Sequence, residues 1–234
     1  MWSDEFNYIG LPDAARWDYS TVGNLFQWGN HELQHYTREE AKNSFVALGR
    51  LAIKAVKEGE RITSARLQTK TSGNWQHARV EVRAKMASGR GLCSAIWLLP
   101  SSWDFSQGRS DGEIDIAEYV GFSKDSIYHT VHASACDSDV HSYSSVASFV
   151  SRSEQDYHIY AVEWDDERVD FFVDGRLTHS YKRAEHPQLR WAFDESYYLI
   201  LNVSVGGNWA AMHGIDYDCF PAKMLVDYVR IYEL

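Results

Sequence analysis

The chain contains few of the residues that cross-link or interrupt a fold. Its 234 residues include 3 Cys and 4 Pro. Three cysteines cannot all pair, and the wide spacing of Cys93, Cys136 and Cys219 excludes a dense disulfide framework and the usual zinc motifs. We therefore expect free thiols. No run rich in Pro, Gly and Ser divides the chain, which predicts a single domain over residues 1–234.

Positive charge is also scarce. The 23 Lys and Arg are outnumbered by 33 Asp and Glu, which gives a net charge of −10. Because phosphate groups bind to basic surfaces, this charge argues against nucleic acids and anionic membranes as partners. We expect a neutral ligand and a monomeric protein.

Long hydrophobic runs are missing as well. No segment stays apolar for the length that a bilayer-spanning helix needs, and residues 1–6 do not resemble a signal peptide. The sequence therefore predicts no membrane anchor.

Helical periodicity is nearly absent, whereas the two-residue period of β-strands recurs along the chain. Residues 78–86 alternate apolar and charged side chains, which indicates a half-buried strand. Residues 92–99 are apolar on both faces and predict a central strand that ends at Pro100. Further strands are predicted within residues 45–56, 128–133, 157–164 and 168–173, and short helical pieces near 37–41 and 182–185. This pattern predicts an all-β sandwich.

One stretch, residues 112–118 (GEIDIAE), carries three acids among β-branched residues. Side chains on a strand alternate between its faces, so Glu113 and Asp115 share one face and the isoleucines the other. Strict alternation would place Glu118 on the isoleucine face, where an unpaired charge is costly. We therefore expect Ile116 or Ala117 to be an extra, bulged residue that returns Glu118 to the face of the other acids.

Three functions fit such a strand. Acidic edge strands protect sheets against aggregation. Acid clusters also bind metals, although no compact set of His or Cys ligands lies nearby in the sequence. Glycoside hydrolysis fits better, since it needs one carboxylate as nucleophile and one carboxylic acid to protonate the leaving oxygen.

The stretch resembles the signature of glycoside hydrolase family 16, in the bulged form of its laminarinase-like members. The resemblance covers nearly the whole chain, because further family motifs follow in the family's order. They are residues 28–34 (WGNHELQ), 64–66 (SAR), 95–100 (AIWLLP), 130–132 (TVH), 205–209 (VGGNW) and 226–230 (VDYVR).

The resemblance implies a concanavalin-like jelly roll with a concave substrate cleft. It also implies a retaining endo-β-1,3-glucanase that needs no cofactor for its chemistry, with mixed-linkage β-1,3-1,4-glucan as a further candidate substrate. In this family Glu113 is the expected nucleophile, Glu118 the acid/base and Asp115 their electrostatic partner. A galactan-cleaving relative (agarase, porphyranase or carrageenase type) and a non-catalytic carbohydrate-binding jelly roll are the alternatives. Because polysaccharides are too large for uptake, we expect a secreted protein whose export signal is not in these residues.

The resemblance also suggests substrate contacts, each with a plainer alternative. Arg66 and Asn30 match positions that hold sugar hydroxyls, but could form a surface ion pair or a turn. His132 matches a histidine that supports the acids, although a lone His is more often a satisfied polar residue. Tryptophans present flat faces to sugar rings or pack in a core. The candidates of this kind are Trp97, Trp103 and Trp209.

The sequence departs from the family at several cleft positions. Gly108 stands where laminarinases usually carry Trp, within what looks like a longer loop over residues 103–110. Cys93 and Ala133 replace common aromatics, and His31 replaces a common Asn.

A structural calcium site is a further expectation from the resemblance. Alternation places Asp227 on an apolar strand face, where its carboxylate needs a partner. Family members often bind calcium through such an Asp, and Glu5 and Gly49 match the accompanying positions. An ion pair between Asp227 and an Arg or Lys is the alternative.

Overall fold

Two β-sheets account for most of the regular structure in the computed structural model, which describes residues 1–103, 111–136 and 141–234. The strands are β1 (Trp2–Asp4), β2 (Asp18–Tyr19), β3 (His35–Tyr36), β4 (Ser44–Ala47), β5 (Arg50–Glu58), β6 (Arg61–Ser64), β7 (Arg66–Gln68), β8 (Ala78–Lys85), β9 (Leu92–Pro100), β10 (Ile114–Val120), β11 (Ser126–Ser134), β12 (His141–Phe149), β13 (His158–Trp164), β14 (Arg168–Val173), β15 (Arg176–Lys182), β16 (Tyr197–Val205) and β17 (Ala222–Glu233). The predicted strands are all present.

The order of the strands places the acidic stretch in the middle of one sheet. The first sheet has ten described strands in the order β15-β14-β13-β8-β17-β5-β6-β3, with β1 added to β17 and β4 to β5. The second sheet has seven, in the order β12-β11-β10-β9-β16-β7-β2. Most neighbouring pairs are antiparallel, and the pair β3 and β6 is parallel. The predicted β-sandwich is confirmed.

The core lies between the inner faces of the two sheets, as alternation predicts. In β8, Ala78, Val80, Val82 and Ala84 are buried, and the charged residues between them point outward. In β16 all nine residues are buried. The side chains on one face of this strand pack in the core, and those on the other face lie beneath the residues of the cleft. The β9 run, predicted to be central, is flanked by β10 and β16.

Helical structure in the described residues is limited to three 3₁₀ segments: η1 (Val22–Gly29), η2 (Arg183–Glu185) and η3 (Tyr217–Cys219). The piece predicted near 182–185 corresponds to η2. The prediction of a helical piece at 37–41 is wrong. The backbone amide of Thr37 donates to the Ser64 carbonyl, as in a strand pair, and the Thr37 hydroxyl donates to the Asn43 side chain (2.9 Å). No helix in the described part of the chain is long and apolar enough to cross a membrane.

The outer face of the ten-stranded sheet carries the residues predicted to bind calcium. Asp227 points outward, and a register shift between Val226 and Tyr228 returns Val229 to the core. The expectation that Asp227 shares an apolar face with Val229 is therefore wrong. Its Oδ2 lies 2.6 Å from Nη1 of Arg83. Glu5 likewise accepts two hydrogen bonds from Arg230, at 2.8 and 2.9 Å. Both carboxylates therefore take part in ion pairs, the alternative left open by the sequence.

The three cysteines are unpaired, as their number and spacing predict. Cys136 is exposed, Cys219 is half-buried and Cys93 is buried beside the acidic strand. Burial raises the pKa of the Cys93 thiol well above its usual value, and the nearby Glu118 adds to this effect. Cys93 is therefore a neutral thiol.

Candidate active site

The three acids lie on the outer face of β10 because this strand contains a bulge. Asp115 is paired with Trp97 on β9 and with Thr130 on β11, and Glu118 is paired with Ala95 and Tyr128. The pairing with β9 skips Ile116, which identifies the extra residue. Ile116 and Ala117 are both buried in the core. The predicted bulge is confirmed, and it returns Glu118 to the face of Glu113 and Asp115.

The start of this strand is fixed by backbone contacts around Gly112. Gly112 donates to the His132 carbonyl and His132 donates to the Glu113 carbonyl, each at 2.9 Å. Gly112 has φ of +100°, and a Cβ at this position would collide with the Tyr197 hydroxyl. Any residue with a Cβ would be strained in this backbone conformation and this close to Tyr197. Glu113 and His132 are thereby held side by side.

Asp115 and His132 form the closest charged contact of the site. His132 Nε2 lies 3.0 Å from Oδ2 of Asp115 and 3.9 Å from Oε1 of Glu113. Burial alone would lower the pKa of His132, but the hydrogen bond and charge of Asp115, with the two glutamates, raise it to about 9. At neutral pH His132 is therefore an imidazolium that donates to Asp115.

The two glutamates have different electrostatic surroundings. Burial raises the pKa values of both, and the Asp115 charge raises them further. The charge of His132 opposes this rise at both glutamates. Arg66 opposes it at Glu113, whereas Glu118 also faces the negative charges of Glu113 and Glu32. The Arg66 cation thus favours the ionised form of Glu113, and the neighbouring acids favour the protonated form of Glu118.

The same cluster has donor atoms close enough to hold a cation. One ligand atom each from Glu113, Asp115 and His132 lies within 4.8 Å of the others. A His must be neutral to ligate a metal, however, and the raised pKa of His132 favours its protonated form. The residues therefore fit a hydrogen-bonded acid cluster better than a metal site.

Arg66 lies in the floor of the site between two tryptophan rings. Its guanidinium is 4.4 Å from the ring centre of Trp28 and 4.5 Å from that of Trp97. Arg66 is buried, and its Nε has no hydrogen-bond partner among the described residues. A buried donor of this kind needs an acceptor, which a ligand hydroxyl can supply. The surface ion pair considered for Arg66 is not what the structure shows.

Trp97 belongs to this floor rather than to the core between the sheets. It is half-buried, and its indole Nε1 donates to Oδ1 of Asn202 (2.8 Å). The Asn202 amide in turn donates to the Tyr36 hydroxyl (3.0 Å). The hydrogen bond that Trp97 donates to Asn202 fixes the orientation of the Trp97 ring beside Asp115.

Asn30 lies in one wall of the site, in a network centred on Glu32. Its amide donates to Oε1 of Glu32 (3.2 Å), while Gln34 donates to Oε2 (2.6 Å). Its carbonyl oxygen accepts from the Asn208 amide (3.2 Å), which ties this wall to the turn before Trp209. The polar atoms of Asn30 are therefore held in place before any ligand binds.

The two ends of the site carry aromatic residues. Beyond Glu118, the half-buried Trp209 contacts Tyr128 edge to face, with ring centres 4.9 Å apart, and packs with the buried Cys93. Beyond Glu113, Trp103 packs with Trp97 against a cluster of Leu99, Tyr198 and Ile200. Residues 104–110, with Gly108 and most of the predicted loop, lie outside the described residues. A flat apolar surface thus lies at each end of the acid row.

Four residues of the site escaped the sequence analysis: Trp28, Glu32, Tyr36 and Asn202. Trp28 and Glu32 lie on either side of Asn30 in the family motif of residues 28–34, and this position could have identified them as site residues. Asn202 is a polar residue within an otherwise apolar strand, and such a residue usually requires a partner. Tyr36 gave no signal, since its role depends on a contact with Asn202, 166 residues away.

Comparisons with known proteins agree with this geometry. The sequence profile described as glycosyl hydrolases family 16 matches residues 29–230. The chain is 41% identical to a beta-glucanase of Rhodothermus marinus over 99% of this chain and 84% of that protein. It is 32% identical to glucan endo-1,3-beta-glucosidase A1 of Niallia circulans over 100% of this chain but 37% of that longer protein. The X-ray structure of the laminarinase from Rhodothermus marinus superposes with a TM-score of 0.89, at 41% identity, covering 100% of this chain and 96% of that one.

Replacing Asp115 by Asn should move the titration of Glu118 to lower pH. The substitution removes a negative charge that favours the protonated acid. Carboxyl ¹³C NMR of glutamate-labelled protein measures this shift, and Glu118→Gln assigns the signal. Glu5 is the control, since the hydrogen bond from Arg230 on the other sheet lowers its pKa. An unchanged Glu118 titration in Asp115→Asn would contradict the electrostatic account.

Proposed function

We propose that this chain, which belongs to glycosyl hydrolases family 16, hydrolyses internal β-1,3 linkages of glucans and retains the configuration of the anomeric carbon. We extend the proposal to mixed-linkage β-1,3-1,4-glucan. The observation that carries it is the bulged strand β10, which brings Glu113, Asp115 and Glu118 to one face. Carboxyl groups close together on one face are the arrangement that double displacement requires.

In the first step, Glu113 is the nucleophile and Glu118 the acid. A carboxylate oxygen of Glu113 attacks the anomeric carbon as its bond to the leaving oxygen breaks, and Glu118 gives its proton to that oxygen. This assignment follows the electrostatics. Arg66 favours the carboxylate form of Glu113, whereas the charges of Asp115, Glu113 and Glu32 favour the protonated form of Glu118. The product of this step is a covalent glycosyl-enzyme.

In the second step, Glu118 acts as the base. Having lost its proton, it accepts one from a water molecule, and the hydroxide attacks the anomeric carbon while the bond to Glu113 breaks. The two inversions together retain the configuration. Glu118 ends the cycle protonated and Glu113 ionised, which restores the starting state.

Asp115 and His132 support this exchange of a proton. When Glu113 is esterified it loses its charge, so the pKa of Glu118 falls at the stage where Glu118 must act as a base. The Asp115 carboxylate keeps its hydrogen bond with His132 throughout, and its charge favours the proton on Glu118 at the start. We propose that this pair adjusts the acid rather than reacting with the sugar.

The floor and ends of the site suit a neutral sugar chain. The unpartnered Nε of Arg66 and the fixed amide of Asn30 offer polar contacts to hydroxyl groups. Trp97, Trp103 and Trp209 offer aromatic faces on which pyranose rings stack. The net charge of −10 favours a neutral glucan over a sulfated galactan. A non-catalytic role is less consistent with two glutamates and Asp115 held on one strand face by a bulge.

Several properties beyond the chemistry are proposals as well. We propose that residues 1–234 form one catalytic domain, that the protein is monomeric, and that it acts outside the cell, where its polymeric substrate is found. The chemistry needs no cofactor. A structural calcium at Glu5, Gly49 and Asp227 stays a prediction, and the arginines that pair with both carboxylates fit such a cation poorly.

Replacing each glutamate in turn should separate the two catalytic roles. Glu113→Gln should abolish hydrolysis of laminarin, because an amide cannot form the ester. Glu118→Ala should still release an activated aryl leaving group, which needs no proton, and added azide should then accelerate turnover and give the β-glycosyl azide. The matched control is Glu58→Gln, at an exposed glutamate of the other sheet. Full activity of Glu113→Gln, or an α-glycosyl azide from Glu118→Ala, would contradict these roles.

Laminarin should be cleaved internally and faster than agarose, carrageenan or cellulose. If Trp103 binds a sugar ring, Trp103→Ala should raise KM more than it lowers kcat, because the contact is present in both ground state and transition state. Phe149→Ala, at an aromatic that is 81% exposed, is the control. Reducing-end assays and product sizing provide the measurement. Faster cleavage of a galactan would favour the alternative substrate class.

A further inference from the structure

A buried histidine contacts the bulge from the core side of the sheet. His129 lies on β11, is fully buried, and places its Nδ1 2.7 Å from the carbonyl oxygen of Ile116. A carbonyl oxygen can only accept, so Nδ1 must carry a proton. Ile116 is the residue that the pairing of β10 with β9 skips. His129 is thus bonded to the residue that creates the bulge.

The other ring nitrogen of His129 is bonded to the opposite sheet. Nε2 lies 3.1 Å from the hydroxyl of Thr178 on β15, whose one proton is shared between Nε2 and the Phe171 carbonyl oxygen 3.0 Å away. The imidazole packs against the Phe171 ring, with ring centres 5.3 Å apart. Burial lowers the pKa of His129 to about 4, so the ring is neutral and carries its single proton on Nδ1. Both its position and its tautomer are therefore fixed.

The position of this contact matters because Ile116 separates Asp115 from Glu118. One residue more or less in a strand moves the following side chains to the other face. A rotation of the Ile116 peptide would therefore change where Glu118 points while Glu113 stays in place. A hydrogen bond to the Ile116 carbonyl opposes that rotation directly.

We propose that His129 is a positioning residue for hydrolysis: by donating to the Ile116 carbonyl, it holds the bulge that sets Glu118 beside Glu113 and Asp115. The proposal rests on the proposed roles of the two glutamates. His129 itself does not reach the outer face of the sheet, and it acts through the backbone of β10. Its removal should impair the chemical step more than substrate binding.

Two amide substitutions separate the two bonds of His129. In His129→Asn the side-chain amide occupies the place of Nδ1 and can still donate to Ile116, but it cannot reach Thr178. In His129→Gln the amide reaches toward Thr178 and leaves Ile116 without its donor. We expect His129→Asn to keep kcat on laminarin within a few fold. We expect His129→Gln to lower kcat by about 100-fold, as a displacement of about 1 Å in an active site does, with little change in KM.

The control for general damage to the core is His179→Leu. His179 stacks on the Phe171 ring with 5.7 Å between ring centres, and among the described residues no hydrogen bond joins it to the bulge or to the acids. Melting temperatures of all variants should be measured alongside kinetics, and kcat should follow the Ile116 contact rather than the melting temperature. Equal kcat in the Asn and Gln variants, a change confined to KM, or an equal loss in His179→Leu would overturn the proposal.

A failure of the proposal for His129 can be distinguished from a failure of the roles proposed for Glu113 and Glu118. If Glu118→Ala loses hydrolysis and is rescued by azide while His129→Gln keeps wild-type kcat, the glutamate roles stand and the positioning role of His129 is wrong. If Glu118→Ala keeps full turnover, the glutamate roles are wrong and the inference for His129 fails with them.

Discussion

The repulsion among three carboxylates on one strand face is the constraint on which the site depends. Asp115 is buried and Glu113 and Glu118 are half-buried, so water solvates their charges only in part, and incompletely solvated charges are costly. Two cations offset part of that cost: His132 donates to Asp115, and Arg66 lies between two tryptophan rings near Glu113. In the proposed mechanism a proton on Glu118 relieves the remainder. The same interaction that would destabilise a structural strand would then provide the acid for catalysis.

The fold provides the rigidity that this crowding requires. Strand β10 lies between β9 and β11 in the middle of its sheet, so its backbone cannot move away to separate the charges. The core side of the bulge is held by His129, and the start of the strand by Gly112 under the Tyr197 hydroxyl. The outer face carries chemistry while the inner face carries packing. This division follows from the two-residue period of a strand, modified at one residue.

Much of this arrangement was predictable from the sequence, and the failures have physical causes. Alternation predicted the sandwich, and the parity of Glu118 predicted the bulge, because both are local properties of a strand. Alternation failed around Asp227, where another register shift occurs. Strict alternation there would not bury an unpaired charge among apolar residues without an alternative partner, so nothing in the sequence indicated the shift. The stacking of Arg66 between Trp28 and Trp97 and the bond between Asn202 and Tyr36 join distant segments, so no local pattern contains them. His129 went unnoticed because its partner is a backbone carbonyl, which every residue has.

The central claim is that Glu113 forms a covalent bond to the sugar, and trapping this intermediate tests it most directly. A 2-deoxy-2-fluoro-β-laminaribiosyl fluoride should inactivate the enzyme, because its leaving group departs readily while the 2-fluorine slows hydrolysis of the ester. Peptide mapping by mass spectrometry then locates the label. The account predicts one disaccharide per molecule, attached to Glu113. A label on Glu118 or Asp115, or turnover without any trapped species, would contradict it.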